Sequence, residues 1–89
     1  MAVTATDERR VLDQVQTRLY IGGQWREGGA GTLPVEDPAT GETLVEVADA
    51  SAQDADDALA AADAAFPAWA RTAPRERADI LRRAYDLMI

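Results

Sequence analysis

The sequence contains no cysteine and no histidine. Without cysteine there is no disulfide framework, no thiolate nucleophile and no cysteine-based metal site. Without histidine there is no imidazole acid–base group near neutral pH. Basic residues are few, 9 against 16 acidic ones, for a formal net charge of -7. That balance argues against a nucleic-acid surface, because phosphates demand basic side chains, and equally against an anionic membrane surface. No apolar run approaches the ~20 residues of a membrane span. The opening MAVTATDERR lacks a signal-peptide core and carries early acids, so the expected location is cytoplasmic. Large apolar side chains are also scarce: 23, beside 19 alanines. Eighty-nine residues allow one domain at most. A chain this short buries a small share of its surface, so this one is expected to need a partner surface to be well folded.

What is present is organised around residues 51–69, SAQDADDALAAADAAFPAW. Ser51 is a good N-cap and Asp54 stands at the capping-box position three residues on. Asp54, Asp56 and Asp57 crowd the start, where the helix dipole favours anions. A calcium loop would spread its ligands over a longer loop with a central glycine. Ala55, Ala58, Leu59, Ala62, Ala65, Phe66 and Trp69 recur at spacings of three and four and fall on one face. Such an alanine-rich stripe reads as a core face that lets another backbone come close. Pro67 is expected to end or kink the helix at Phe66.

Ahead of that helix, residues 1–6 read as a frayed terminus. Asp7 is expected to cap a short helix running to about Gln16, with Val11, Leu12 and Val15 on its apolar side. In LYIGGQW, two glycines between short β-prone runs predict a tight hairpin, with Tyr20 and Trp25 as packing anchors rather than base-stacking platforms. EGGAG reads as a loop. As a dinucleotide fingerprint it fails, because Gly29 and Gly31 are followed by Pro34 at the third position, with no buried strand before and no helix after. Residues 32–36 read as extended, with Pro34 at an edge. Asp37-Pro38-Ala39-Thr40-Gly41 is a turn, and residues 42–48 form a strand with Val45 and Val47 on one face.

Beyond Trp69, Thr72 is expected to cap a second helix with Pro74 in its first turn. Ala78, Leu81, Ala84, Tyr85 and Met88 recur at helical spacing. Arg75, Arg77, Arg82 and Arg83 form the one basic stretch, read as a solvated face pairing with Glu76, Asp79 and the preceding acidic helix. A phosphate site is the sharper alternative. The apolar pattern is unfinished at Ile89, without a closing Gly, Asn or Pro, so an N-terminal piece of a longer protein is expected.

Four stretches in this order resemble the N-terminus of the aldehyde dehydrogenase superfamily: LYIGGQW, VEDPATGETLVEV, SAQDADDALAAADAAFPAW and RTAPRERADILRRAYDLMI. ERADILRRAYDLMI and AFPAWART look closest to the succinate-semialdehyde dehydrogenases. The resemblance implies an α+β fragment, a short hairpin and strands plus two to three helices, forming the N-terminal part of an α/β cofactor-binding domain. Residues 1–18 would be a tail and short helix, and residues 19–89 the incomplete domain. It implies a parent enzyme that oxidises an aldehyde, succinate semialdehyde in the subfamily, with NAD or NADP through a cysteine thiolate, an oxyanion hole and a water-activating glutamate. Those groups would lie beyond this stretch. No catalytic, cofactor-binding or metal-binding side chain is assigned here, and neither Glu42 nor Glu76 takes the glutamate role. Some family members hold a structural cation through backbone carbonyls that would here be near Val35 and Glu36. The implied partners are the rest of the dehydrogenase chain, a small aldehyde and further copies in a homo-oligomer. Two other readings stand beside this one: an independent acidic interaction module without enzymatic activity, and a truncated non-catalytic paralogue that docks on a full-length enzyme.

Overall fold

The computed structural model describes residues 4–89. Three helices and two antiparallel strand pairs follow one another: α1 (Ala5–Leu12), β1 (Leu19–Ile21), β2 (Gln24–Arg26), β3 (Thr32–Glu36), β4 (Thr43–Ala48), α2 (Ala52–Arg71) and α3 (Pro74–Met88). The chain is therefore an α+β protein, as expected.

Helix α1 begins one turn earlier than Asp7 suggested. Thr4 is the cap: its hydroxyl accepts from the Asp7 N–H at 3.1 Å, and the Asp7 carboxylate accepts from the Thr4 N–H at 3.3 Å. Asp7 is thus the third helical residue of a capping box, and the frayed terminus predicted for residues 1–6 does not extend to Thr4, Ala5 and Thr6. Residues 1–3 lie outside the described residues. The helix stops at Leu12 rather than Gln16, because Gln14 and Val15 donate three residues back and tighten the chain into a turn.

The β1–β2 hairpin pairs Leu19 with Arg26, Tyr20 with Trp25 and Ile21 with Gln24. Gly22 and Gly23 have φ of 60° and 80°, the left-handed pair that a two-residue hairpin with the correct twist requires. The rings of Tyr20 and Trp25 meet across the strands at 4.7 Å between centroids. Strands β3 and β4 pair from Thr32–Ala48 to Glu36–Thr43, with a bulge that leaves Leu44 unopposed. The turn between them closes as predicted: the Asp37 carboxylate accepts from the Ala39 N–H at 2.9 Å, and the Gly41 N–H donates to the Asp37 carbonyl at 2.7 Å. After α1 the chain is tied to this second pair by the Ala48 N–H donating to the Thr17 carbonyl at 2.8 Å.

Helix α2 runs straight through the predicted stop, with Pro67 inside it and its end at Arg71. A proline interior to a helix costs about 3 kcal/mol relative to alanine. Eight of the fifteen residues from Ala52 to Phe66 are alanine, the strongest helix former, and a complete capping box holds the start. That run offsets a single missing donor. Thr72 terminates α2 instead of starting α3: its N–H donates to the Trp69 carbonyl at 3.1 Å and its hydroxyl to the Ala68 carbonyl at 2.9 Å. Pro74 at the first helical position forces Ala73 into extended geometry, so Ala73 becomes the cap of α3 without a side-chain bond.

Among the described residues no hydrophobic side chain is buried. The radius of gyration is 17.4 Å, whereas a compact chain of this length would have about 12 Å. The accessible surface is 7358 Å², against roughly 5,100 Å² for a compact protein of this mass. The sequence asks for a core face on α2, and these residues do not cover it.

Candidate functional site

Among the described residues the one closed junction is polar. It lies where the β1–β2 hairpin, the loop after it and the start of α2 converge. Asp54, 6% exposed, is the buried residue at its centre. Its Oδ2 accepts from the Gly29 N–H at 2.6 Å, the Ser51 N–H at 2.8 Å and the Ser51 hydroxyl at 3.1 Å. Its Oδ1 accepts from Arg26 Nη2 at 2.5 Å, and the same nitrogen reaches Asp57 Oδ2 at 2.8 Å. Gln53 donates to the other Asp57 oxygen at 2.8 Å.

These donors set the electrostatics. The Ser51 and Gly29 N–H groups, then Arg26, hold the Asp54 carboxyl far below the usual carboxylate range. Arg26, then Gln53, lowers that of Asp57. The two carboxylates in turn raise the Arg26 guanidinium, Asp57 most.

Two glycines permit the close approach. A β-carbon at residue 28 would collide with the Asp49 carbonyl oxygen and stand 2.7 Å from the Asp49 carbonyl carbon. At residue 29 it would stand 2.5 Å from Ser51 Oγ and 2.9 Å from its Cβ. The Ala30 N–H donating to the Asp49 carbonyl at 3.1 Å and the Asp49 N–H donating to the Gly31 carbonyl at 2.9 Å complete the contact. The capping pair Ser51–Asp54 is readable in the sequence. Arg26 and Gly29 as its partners are not, although an arginine just ahead of a double glycine is a signal for them.

This geometry bears on the dinucleotide question. A phosphate on a helix N-terminus needs free N–H groups and a positive field. At α2 the Asp54 N–H donates to Ser51 Oγ at 3.2 Å, and the chain's own Asp54 carboxylate stands at the positive end of the helix. Gly28 and Gly29 of EGGAG are packed on protein. The junction does not fit a pyrophosphate.

The remaining sequence-selected residues are scattered. Glu42 lines an open cleft of about 300 Å³ between α1 and the β3–β4 turn, with Glu8, Arg9 and Asp37. Glu76 lies at the start of α3. Val35 and Glu36 sit at the β-bulge. Among the described residues no group of three or more His, Cys, Asp or Glu side chains could hold a metal ion. In the basic stretch the ion pair formed is Arg82–Asp86 at 3.3 Å, not one with Glu76, Asp79 or α2. Arg82 also lies over the Tyr85 ring at 5.0 Å. An arginine held this way by its own helix is the solvated face the sequence suggested.

The second feature is apolar and open. Leu59 is 70% exposed and Phe66 64%, with Trp69, Ile80, Leu81 and Tyr85 exposed beyond them on α2 and α3. This is the stripe expected in a core. No helix is long and apolar enough to cross a membrane among the described residues.

Comparison with known proteins identifies this arrangement of elements. The profile of the aldehyde dehydrogenase family matches residues 25–89. The chain belongs to the aldehyde dehydrogenase family. It is 48% identical over 71 residues to N-succinylglutamate 5-semialdehyde dehydrogenase 2 of Caulobacter vibrioides, covering 80% of this chain and 15% of that protein. It is 36% identical over 89 residues to the mitochondrial succinate-semialdehyde dehydrogenase of Arabidopsis thaliana, covering 99% of this chain and 17% of the relative. With the human mitochondrial succinate-semialdehyde dehydrogenase the figures are 41% over 75 residues, 84% and 14%. The chain thus spans about a sixth of the length of these curated relatives. No solved structure matches it.

Proposed function

We propose that this chain is the N-terminal segment of an NAD- or NADP-dependent aldehyde dehydrogenase that oxidises succinate semialdehyde to succinate, and that its own role is structural. The observation that carries the reading is the exposed apolar stripe of α2 and α3 on a chain whose relatives are about six times longer. The surface in excess of a compact protein, roughly 2,300 Å², exceeds the ~800 Å² that each partner contributes to a standard interface and suits a core cut in two. In the parent enzyme the rest of the dehydrogenase chain covers that stripe. Residues 19–89 then form the first part of the cofactor-binding domain, with residues 1–18 as a tail and short helix ahead of it.

No catalytic step is assigned to residues of this chain. The nucleophile, the water-activating glutamate and the nicotinamide site belong to later sequence. Val35 and Glu36 would contribute backbone carbonyls to a structural cation in the intact enzyme. We read the parent as a cytoplasmic homo-oligomer.

Two relatives named for succinate semialdehyde and one for N-succinylglutamate 5-semialdehyde favour a semialdehyde that ends in a carboxylate-bearing chain. The test is the purified parent enzyme assayed with both semialdehydes, each with NAD and NADP, by absorbance of the reduced nicotinamide. Highest kcat/KM on succinate semialdehyde supports the reading. Turnover of N-succinylglutamate 5-semialdehyde alone replaces the substrate, and activity on neither refutes the proposal. The interaction-module alternative uses the same exposed stripe. It gains ground if the 89-residue chain captures a partner through Leu59 and Phe66 that is not a dehydrogenase.

A further inference from the structure

We infer that Arg26 is a positioning residue, a polar latch that fixes how α2 is rotated against the β1–β2 hairpin and so which face of α2 is left outward. The inference does not depend on the enzyme reading above. It starts from a conflict between pattern and packing. Helices ordinarily seat themselves by their apolar stripe. Here α2 is seated by a flank that carries two aspartates.

The seated flank is identified by its contacts. Asp54, Asp57 and Ala61 are the residues between Ala52 and Arg71 that lose substantial exposure. At one end, Arg26 Nη2 bridges Asp54 and Asp57 at 2.5 and 2.8 Å. At the other, the hairpin tip rests on Ala61, whose Cβ stands 3.8 Å from where a Gly22 side chain would begin. The hairpin therefore lies along the first turns of the helix, anchored at its base by charge and touching at its tip.

On a helix of 3.6 residues per turn, the centre of the Asp54–Asp57–Ala61 flank is roughly 140° from the centre of the Ala55–Leu59–Ala62–Phe66 stripe. Seating the helix by that flank leaves the stripe free. Among the described residues no buried apolar side chain competes for control of the rotation. The tip contact involves one methyl group, worth about 0.8 kcal/mol if fully buried, and cannot by itself hold the register. The Gly29 N–H ties Asp54 alone; the guanidinium, with one nitrogen on both carboxylates, supplies the directional hold across the flank that dispersion lacks. The other charged group beside it is Glu27, next along the chain from Arg26.

The test separates positioning from folding. In the 89-residue chain, the through-space NMR contact between the Gly22 α-protons and the Ala61 methyl reports the rotation. The sequential amide contacts of α2 report the helix itself. Arg26→Gln leaves the Ser51–Asp54 capping box intact, so it is expected to reduce the Gly22–Ala61 contact several-fold while the helical contacts persist. Arg26→Lys, which keeps a cation at this place, is expected to retain most of the contact. The inference is overturned if Arg26→Gln leaves the contact unchanged, if contact and helix are lost together, or if Arg26→Lys is as damaging as Arg26→Gln.

Discussion

Asp54 does two jobs with one carboxylate. It completes the capping box with Ser51, a local contact, and it receives Gly29 and Arg26, which are 25 and 28 residues away in sequence. The first is visible in the pattern S-x-x-D. The second requires the hairpin to return to the helix start. The same pattern, T-x-x-D, marks Thr4 and Asp7, and there the threonine and not the aspartate is the cap. Read as a pair, it puts the start of α1 at Thr4, as S-x-x-D puts that of α2 at Ser51.

Two predictions belong to single residues. Gly28→Ala forces a methyl group into the Asp49 backbone and is expected to cost about 1–3 kcal/mol, as overpacking does. Gly29→Ala meets the Ser51 side chain and is expected to cost less. Chemical denaturation followed by helical ellipticity ranks the two. The second concerns acid. Asp54 and Asp57 have folded-state pKa values lowered from the ordinary range. A lowered carboxylate contributes its full stability above the unfolded value, about 3.9, and loses it as pH falls toward the folded value. The ellipticity of α2 is therefore expected to stay flat from neutral pH to about 5 and to fall below about 4. Asp54→Asn should shrink that acid limb, and a titration of both proteins checks it.

At the scale of elements, the helices obeyed local chemistry more closely than they obeyed any single residue. Pro67 predicts an end or a kink in α2; the helix does not end there, and the alanine run carries it to Arg71. Pro67→Ala should restore a donor to the Asp63 carbonyl and stabilise the helix by up to about 3 kcal/mol. A rise in helical ellipticity or melting temperature would show it. No change would mean that the last turn is held by Thr72 instead. Pro74 acted the other way, fixing the start of α3 at the residue after Ala73 and freeing Thr72 to close α2. The hairpin and the Asp37 turn matched their sequence signals because a two-residue turn and an Asp-Pro turn are decided within a few residues.

At the scale of the molecule the governing fact is that no apolar core is buried among the described residues. Small-angle scattering of the isolated chain is expected to give a radius of gyration near 17.4 Å rather than the ~12 Å of a compact chain. Its thermal melt should be broad, because cooperativity needs a shared interior. A compact particle with a sharp melt would show that α2 and α3 fold back to cover their own apolar stripe, and would favour the independent module over the segment of an enzyme.

The sequence by itself determined the elements, their caps and turns, the acidic balance and the membership in the aldehyde dehydrogenase family. Each of these depends on propensity, on hydrogen bonds spanning a few residues, or on the order of short motifs. Tertiary structure alone decided that α2 is seated by Asp54, Asp57 and Ala61, that Gly28 admits the Asp49 backbone and Gly29 the Ser51 side chain, and that the apolar stripe faces outward. Those outcomes rest on contacts 21 to 39 residues apart. Periodicity marks the stripe as apolar, but which flank meets the hairpin is set by where Arg26 lands in space.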